Sequence, residues 1–243
     1  MRKEGVNIET NIVYNKDFLL NNLPSESVDL IVTDPPYKTI TGGDSNGANS
    51  ERPKGMLSGN RKLFKHQKLK ISDWMPQLYE VLKENSHCYI FTNVINMEEM
   101  LRESKRAGFK LHNILAWLKQ NCTPSQYYMK NCEYVLFLRK GKAKWINDIG
   151  GSKTVHEYLI EDNPVTIQVD NIIGKKTHPC EKPIDLLKLY ISNSSNEGDI
   201  VLDPFCGTGS TLIASKELNR KYIGYELDRE YYDIGIHRLD NLK

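Results

Sequence analysis

The segment that decides the fold is Ile200-Val201-Leu202-Asp203-Pro204-Phe205-Cys206-Gly207-Thr208-Gly209-Ser210-Thr211, an apolar strand, a glycine turn and a helix start. Glycine lets the backbone approach a ligand closely, and the N-terminus of a helix presents free amide donors. Glu226 follows Gly207 by 19 residues, at the end of the next predicted strand. Nucleotide-binding units of this type place an acid about there to bind ribose hydroxyls. The segment therefore predicts a nucleoside pocket in an α/β fold.

Two phosphate-dependent ligands are disfavoured by the same segment. Leu212 breaks the full dinucleotide fingerprint, and no Gly-Lys-Ser/Thr follows the glycines, which excludes a phosphate-binding P-loop. S-adenosylmethionine, an adenosine without phosphate, fits the pocket that remains. The alternative is a tight turn between strand and helix that binds nothing.

Outside this segment, apolar runs and helical periodicity alternate along the chain. The predicted strands are 28–33, 87–92, 111–118, 133–138, 200–202 and 222–225, and the predicted helices are 74–83, 97–106, 184–192, 210–218 and 230–239. Strands that alternate with helices predict a parallel sheet covered on both faces. We therefore expect a single domain over 1–243, with a mobile basic loop at 38–71 and a small insertion at 140–177.

The composition is that of an ordinary globular protein, with 39% hydrophobic and 26% charged residues. The sequence contains no apolar run long enough for a membrane span and no signal peptide, so we expect a cytoplasmic protein. Its five cysteines form no Cys-x-x-Cys pair, which argues against a zinc site or any other metal site and against a disulfide framework.

Basic residues are clustered although the net charge is only +2. The chain contains seven Lys or Arg and no acid between Arg52 and Lys70, and a second basic cluster spans 139–144. Such clusters suit phosphate neutralisation, and the alternative is a solvated surface loop. The candidate DNA-binding residues are Arg52, Lys54, Arg61, Lys62, Lys65, Lys68, Lys142 and Lys144.

Asp34-Pro35-Pro36-Tyr37 ends the first long predicted strand, where two prolines force a turn. An exocyclic amino group on a base is a poor nucleophile because its lone pair is delocalised into the ring. Hydrogen bonds from that group to Asp34 and to the Pro35 carbonyl would let its nitrogen pyramidalise and attack a sulfonium methyl. Pro36 stiffens the turn, and Tyr37 offers a face for a base flipped out of the duplex. We predict these four residues as the catalytic set.

The sequence resembles the amino-methylating DNA methyltransferases of bacteria and phages, in the permuted beta group whose catalytic motif precedes the cofactor motif. Asp34-Pro35-Pro36-Tyr37 is similar to the catalytic motif and 203–209 to the cofactor motif. The segment His178-Pro179-Cys180-Glu181-Lys182-Pro183 resembles the family segment that encloses the methionine part, with Cys180 where the family usually has Thr. Asn15-Lys16-Asp17-Phe18 resembles the early acidic motif that reaches the adenine, with Lys16 in place of a glycine.

The resemblance implies a Rossmann-like class I methyltransferase fold, with a seven-stranded, mostly parallel sheet that has one antiparallel strand, helices on both faces and a circularly permuted motif order. It implies S-adenosylmethionine as cofactor and no metal, closure of the 38–71 loop over double-stranded DNA, and target recognition by 140–177. Trp117, Lys119, Asn121 and Pro124 resemble a further segment near the base pocket. The cofactor-binding residues that follow from pattern and resemblance are Asp17, Phe18, Asp34, His178, Lys182, Asp203, Phe205, Gly207, Thr208, Gly209, Ser210, Thr211, Glu226 and Leu227.

The expected reaction is methylation of adenine N6 in DNA, because the family's cytosine N4 enzymes more often carry Ser in place of Asp34. Cytosine N4 methylation is the principal alternative. RNA or protein-glutamine methylation and an inactive DNA-binding homologue are more remote. Ring methylation of cytosine is disfavoured, because the only Pro-Cys pair, Pro179-Cys180, lies in the enclosing segment. A homodimer and a cognate restriction endonuclease are left open as partners.

Overall fold

In a computed structural model of the chain, the described residues are 8–36, 69–123, 128, 130–142, 144–157 and 181–242. Their strands are β1 (Ile12–Tyr14), β2 (Val28–Thr33), β3 (Leu82–Thr92), β4 (Lys110–Thr123), β5 (Lys130–Arg139), β6 (Val155–Glu157), β7 (Ile200–Asp203) and β8 (Lys221–Tyr225). Their α-helices are α1 (Ile71–Val81), α2 (Met97–Ala107), α3 (Ile184–Ser194), α4 (Ser210–Glu217) and α5 (Arg229–Asp240), and a 3-10 helix spans Phe18–Leu20. None of these helices has the length and apolarity of a membrane span.

The strands form one sheet in the order β1-β8-β7-β2-β3-β5-β4-β6. Every neighbouring pair is parallel except the two that involve β5, so the single antiparallel strand expected for the fold is confirmed. The described residues contain eight strands, so the expected number of seven is wrong. The sequence pattern missed β1 and β6, which have three residues each and are too short to show a period of two.

Alternate side chains of the central strands pack into two layers, as a sheet covered on both faces requires. Ile31 of β2 lies in one core with α1 and α2, whereas its neighbours Leu30 and Val32 lie in the other with α3 and α4. Residues of β3 and β5 alternate in the same way. The prediction of helices on both faces is therefore confirmed.

Several element boundaries differ from the sequence-based ones. Helix α1 begins at Ile71, inside the predicted loop and before the predicted start at 74, and Lys70 occupies its N-cap position. Ile71 is buried, so packing extends the helix at its N-terminus. Helix α2 ends at Ala107, before Gly108 with its φ of 108°, and Pro183 is the N-cap residue of α3.

The strand order reverses between β7 and β2. From β2 the chain crosses to β3 on one side, and from β7 it crosses to β8 on the other. The carboxyl ends of β2 and β7 therefore flank a topological switch point, which is where open α/β sheets bind their ligands. Asp34 directly follows β2, and Asp203 is the last residue of β7.

Candidate functional site

The two motifs meet at this switch point through a buried hydrogen bond. Thr33 Oγ1 donates to Asp203 Oδ1 at 2.8 Å, and the amide of Phe205 donates to the same oxygen at 3.1 Å. Burial raises the pKa of Asp203 to about 6, against hydrogen bonds from Thr211 and Thr33 that lower it. Asp203 therefore holds the glycine turn against the end of β2.

The glycine turn has the backbone that its sequence predicts. Gly207 and Gly209 have φ angles of 51° and 84°, in the left-handed region that favours glycine. A Cβ on Gly207 would meet nothing within 4 Å, so the turn borders open space on this side. A Cβ on Gly224 would lie 2.6 Å from Leu212 Cδ1, so α4 packs closely on β8. The open side of the turn leaves room for a ligand.

Glu226 lies where its spacing from Gly207 predicts. Its Oε2 accepts from the Gly207 amide at 2.9 Å and its Oε1 from the Asp228 amide at 2.7 Å. Burial raises the pKa of this carboxyl, and the bonds from Asp228 and Gly207 oppose the rise. The carboxylate is thus fixed beside the open face of the glycine turn, within reach of a ribose placed there.

The early acidic segment joins the same edge of the sheet. Asn15 Nδ2 donates to the backbone carbonyls of Glu226 at 2.9 Å and of Leu227 at 3.3 Å. Asp17 caps the 3-10 helix by accepting from the Leu19 amide at 2.9 Å. Leu227 is 44% exposed and borders this edge. The segment therefore reaches the end of β8, as its resemblance to the adenine-contacting motif implies.

Aromatic rings form the wall behind this edge. Phe18 is buried, and its ring packs edge-on against Tyr225 at 5.3 Å and against Phe205 at 6.3 Å between ring centroids. The Lys16 ammonium lies 4.9 Å from the centroid of the Tyr14 ring. Lys16, which stands where the family motif has a glycine, therefore packs against the aromatic rings of Tyr14 and Tyr225.

Glu181 contacts several residues of the site, although it was not among the predicted site residues. Its Oε1 accepts from Ser210 Oγ at 2.8 Å and from Thr208 Oγ1 at 3.3 Å, and it forms a buried ion pair with Arg238 of α5. Thr208 and Ser210, two predicted cofactor ligands, therefore direct their hydroxyls to a protein carboxylate. Arg238 also donates to the Thr208 carbonyl at 2.8 Å. The pair fastens the segment before α3 to the glycine turn.

Asp34 belongs to a chain of alternating charges. Its Oδ2 accepts from Lys182 Nζ, which lies 3.4 Å from Glu133 Oε2, and Glu133 Oε1 accepts from Lys119 Nζ. Burial alone would raise the pKa of Glu133, but the ammonium groups of Lys182 and Lys119 lower it below its ordinary value. Lys182, expected to contact the cofactor, thus contacts the carboxylate of Asp34, a predicted catalytic residue, and Glu133 is a second residue of this cluster that the sequence reasoning missed.

The remaining predicted residues have different placements. Pro35 is buried and Pro36 is half-buried directly after Asp34. Trp117 is partly buried on one face of the sheet, with Lys119 Nζ 5.0 Å from its ring centroid. The residues or side chains outside the described part of the chain are Tyr37, Arg52, Lys54, Arg61, Lys62, Lys65, Lys68, Asn121, Pro124, His178 and Cys180.

The second basic cluster lies away from the site. Strand β5 is antiparallel, so its last residue, Arg139, pairs with His87, which pairs in turn with Leu30 near the start of β2 and lies toward the opposite edge of the sheet from Asp34. Lys142 and Lys144 follow at that opposite edge and are exposed. Lys140 is buried and donates to the carbonyls of Tyr79 at 2.9 Å and Leu82 at 2.8 Å. The expectation that Lys140 suits phosphate neutralisation is therefore wrong.

The fold and the site together define a class. A doubly wound sheet with a glycine turn, an acid at the end of the next strand and a second motif across the switch point is a Rossmann-like nucleoside-binding α/β fold of the methyltransferase type. A family model described as DNA methylase, covering N6 and N4 methylation, matches residues 28–237. The chain belongs to this family.

Individual relatives agree with that assignment. The type II methyltransferase M2.DpnII of Streptococcus pneumoniae is 29% identical, over 94% of this chain and 89% of its own length. The structure of M1.HpyAVI in complex with SAM has a TM-score of 0.65 and 26% identity, covering 93% of this chain and 98% of its own. The cytosine-N4-specific PvuII DNA methyltransferase has a TM-score of 0.70 at 18% identity, over 95% of this chain and 87% of its own, and so shares the fold.

Proposed function

We propose that this protein is a site-specific DNA methyltransferase that transfers a methyl group from S-adenosylmethionine to the exocyclic N6 amino group of a flipped-out adenine. The observation that carries the proposal is the meeting of two motifs at one switch point, where Thr33, the residue before Asp34, bonds to Asp203 at the glycine turn. This bond supports the proposal, because it joins the end of the strand before Asp34 to the strand before the glycine turn.

The residues around the glycine turn fit S-adenosylmethionine. The side of Gly207 that a Cβ would occupy is open, and the Glu226 carboxylate is fixed next to it. We propose that Glu226 binds the ribose hydroxyls, that Asp17 and Phe18 border the adenine, and that Asp203 and Phe205 border the methionine part. When bound, the cofactor supplies an electrophilic methyl group. The structure of M1.HpyAVI, which contains SAM, supports this choice.

The protein's share of the chemistry is positioning and the acceptance of hydrogen bonds. The Asp34 carboxylate and the Pro35 carbonyl accept from the amino group, which localises the nitrogen lone pair for in-line attack. The amino nitrogen would take the methyl group as the sulfur–carbon bond breaks, which would leave a neutral thioether, and the proton released from nitrogen would pass to the Asp34 carboxylate and on to solvent. Tyr37 stacks on the extruded base. This route needs no covalent enzyme intermediate.

Adenine is the proposed target because Asp34 stands where the cytosine N4 enzymes of the family more often carry Ser. The family model covers both N6 and N4 methylation, so the second candidate is cytosine N4. Both reactions use the same acceptor geometry around an amino group.

DNA contacts are proposed for the basic loop at 38–71, through the candidate residues Arg52, Lys54, Arg61, Lys62, Lys65 and Lys68. Lys142 and Lys144 are omitted from this surface, because they lie at the sheet edge opposite Asp34. Target recognition is proposed for the part of 140–177 that follows Lys144, which includes β6 beside Trp117 of β4. The curated relatives are named type II methyltransferases, so a cognate restriction endonuclease is the proposed biological partner.

The experiment is transfer of label from S-adenosylmethionine to mixed duplex DNA. Wild-type protein should label the DNA, and D34A should abolish labelling while cofactor binding, measured by calorimetry, stays largely intact. D233A, at an exposed aspartate of α5, is the matched control and should label normally. If wild type transfers no label to any nucleic acid, the enzyme proposal is wrong.

A further inference from the structure

We infer that Glu133 is a positioning residue for methyl transfer, which holds Lys182 on the Asp34 carboxylate and is itself held by Lys119. The inference rests on the proposed function, because it takes Asp34 as the acceptor for the amino group of the base. It assigns a role to a partly buried acid of β5 that no sequence motif marked.

The contacts form an unbroken chain of opposite charges. Lys182 pairs with Asp34 and with Glu133, and Glu133 pairs with Lys119. The side chain of Lys182 is only 8% exposed, whereas that of Lys119 is 31% exposed. The chain therefore runs from the Asp34 carboxylate, through a buried ammonium and a partly buried carboxylate, to a more accessible lysine.

The topology explains why Glu133 reaches the site. Because β5 is antiparallel, its first residues lie at the edge where β2 and β3 end. Tyr134 pairs with Thr92 at the end of β3, and Glu133 pairs with Trp117 of β4. A side chain at the start of β5 is thus delivered to the Asp34 edge, and one at its end is delivered to the opposite edge.

Lys182 is confined from more than one side. Its Nζ lies 5.2 Å from the centroid of the Phe91 ring, so the aromatic face and two carboxylates surround the ammonium. A buried ammonium is costly unless it is paired, and removal of one partner leaves charge uncompensated. Glu133, whose pKa is lowered by Lys182 and Lys119 against the effect of burial, is the anion that keeps Lys182 charged and in place beside Asp34.

The consequence for catalysis is the orientation of Asp34. A carboxylate has roughly four acceptor positions on its two oxygens, so the bond from Lys182 to Oδ2 leaves capacity for the amino group. A lysine fixed on Oδ2 sets the rotation of the carboxylate plane and hence the direction of those remaining positions. Positioning of this kind affects the transfer step more than the binding of either substrate.

A purely structural alternative makes a different prediction. If Glu133 only ties β5 to β4 through Lys119, its loss would lower stability and would leave the transfer rate of the folded protein unchanged. A role through Lys182 instead requires that the effect of Glu133 disappear once Lys182 is gone. A double-mutant cycle separates the two cases.

The experiment measures single-turnover methyl transfer to duplex DNA by wild type, E133Q, K182M and the double variant. We expect E133Q to slow transfer by about tenfold with KM for cofactor and DNA nearly unchanged, and to change the K182M rate by less than about twofold. E217Q, in the half-exposed Lys188–Glu217 pair, is the control and should transfer at the wild-type rate.

Multiplicative effects of E133Q and K182M, or a wild-type rate in folded E133Q, would overturn the inference. Should E133Q fail to fold, K119M tests the same chain from its more exposed end and should slow transfer in the Lys182 background only. Wild-type protein that transfers no methyl group would contradict the proposed function itself, which distinguishes that failure from failure of the Glu133 assignment.

Discussion

Thr33 and Asp203 are 170 residues apart in the chain and are joined by a hydrogen bond of 2.8 Å between Thr33 Oγ1 and Asp203 Oδ1. Thr33 ends β2, directly before Asp34, and Asp203 ends β7, directly before the glycine turn. One buried bond thus fixes the proposed methyl acceptor site relative to the proposed cofactor pocket. Because β2 and β7 are parallel neighbours, the bond links the two motifs at their shared edge.

Removal of this bond is the first prediction. T33V keeps the size of the side chain but leaves a buried carboxylate oxygen with one donor fewer, which should lower the free energy of unfolding by about 1–3 kcal/mol. It should also raise the pKa of Asp203, because the Thr33 hydroxyl is among the groups that lower it. Urea denaturation checks the first effect.

T92V provides the matched control for T33V. Thr92 is also buried at the end of a strand, but its hydroxyl makes only a 3.4 Å bond to the neighbouring Asn93 carbonyl. A smaller loss of stability is expected for T92V. Equal losses in the two variants would mean that the bond between β2 and β7 contributes nothing special.

The free energy of unfolding should depend on the protonation of His87, which is buried toward the edge of the sheet opposite Asp34. Its Nδ1 contacts Ser194 Oγ at 2.8 Å and its Nε2 contacts the Lys144 carbonyl at 3.1 Å. Burial lowers the pKa of His87 to about 4, against a bond from the Lys144 backbone that raises it. His87 therefore stays neutral in the folded protein at pH values just below 6.5, the ordinary pKa of histidine, where the same side chain is protonated in the unfolded chain.

The stabilisation that the neutral, buried His87 gives to the folded protein is complete above pH 6.5. It is lost as the pH falls toward about 4, which lowers the free energy of unfolding by at most about 3 kcal/mol. Asp203, whose pKa is raised, acts in the opposite direction. Denaturation midpoints of wild type and H87N between pH 7 and pH 4.5 isolate the histidine. H87N should be less stable at pH 7 and should lose less on acidification, and parallel curves would contradict the assignment.

Alanine substitutions of Gly224 and Gly207 should have different effects, one mainly on stability and the other mainly on cofactor binding. In G224A the new methyl would meet Leu212 Cδ1 at 2.6 Å and Cys206 Sγ at 3.0 Å, which should cost about 1–3 kcal/mol of stability. In G207A the methyl points into open space, and only the φ of 51° adds strain, of about 1–2 kcal/mol.

We therefore expect G207A to weaken S-adenosylmethionine binding at least tenfold, because the methyl occupies the proposed cofactor space, which amounts to about 1.4 kcal/mol of binding free energy. The folded fraction of G224A should bind the cofactor more nearly as wild type does. Calorimetric titration and thermal melting of both variants make the comparison. Wild-type cofactor affinity in G207A would place the cofactor elsewhere.

The buried Glu181–Arg238 pair should be a major stabilising contact. R238M leaves a carboxylate buried without its cation and should cost about 3–5 kcal/mol. The control is R229M on the same helix, where the partner of Arg229 is the exposed Asp233, and it should cost much less stability because exposed ion pairs contribute little. Comparable losses from the two substitutions would show that Glu181 is already compensated by Thr208 and Ser210.

The local motifs were predictable, whereas their side-chain partners were not. The spacing of Gly207 and Glu226 predicted an acid at the nucleoside pocket, and Glu226 Oε2 accepts a hydrogen bond from the Gly207 amide at the glycine turn. Nothing near Glu181 in the sequence indicated Arg238, because that pairing depends on how α5 packs against the glycine turn. Lys182, which was predicted to bind the cofactor, contacts Asp34, a residue 148 positions away in the chain that only the fold brings near.

The two outermost strands of the sheet could not be predicted from the sequence pattern either. Strands of three residues, such as β1 and β6, show too few alternations to be distinguished from loop, and parallel pairing with a distant strand stabilises them. The direction of β5 had a larger consequence for function. Because β5 is antiparallel, Glu133 lies at the edge of the sheet that holds Asp34, and Lys142 lies at the opposite edge. The charge clusters in the sequence do not show this separation.

The most direct test of the account is nucleoside mass spectrometry of duplex DNA treated with the purified protein and S-adenosylmethionine. The account predicts N6-methyladenine with wild type and no methylated nucleoside with D34A. N4-methylcytosine in place of N6-methyladenine would contradict the choice of base. The absence of any methylated nucleoside in wild-type samples, with the protein folded and the cofactor bound, would contradict the central claim.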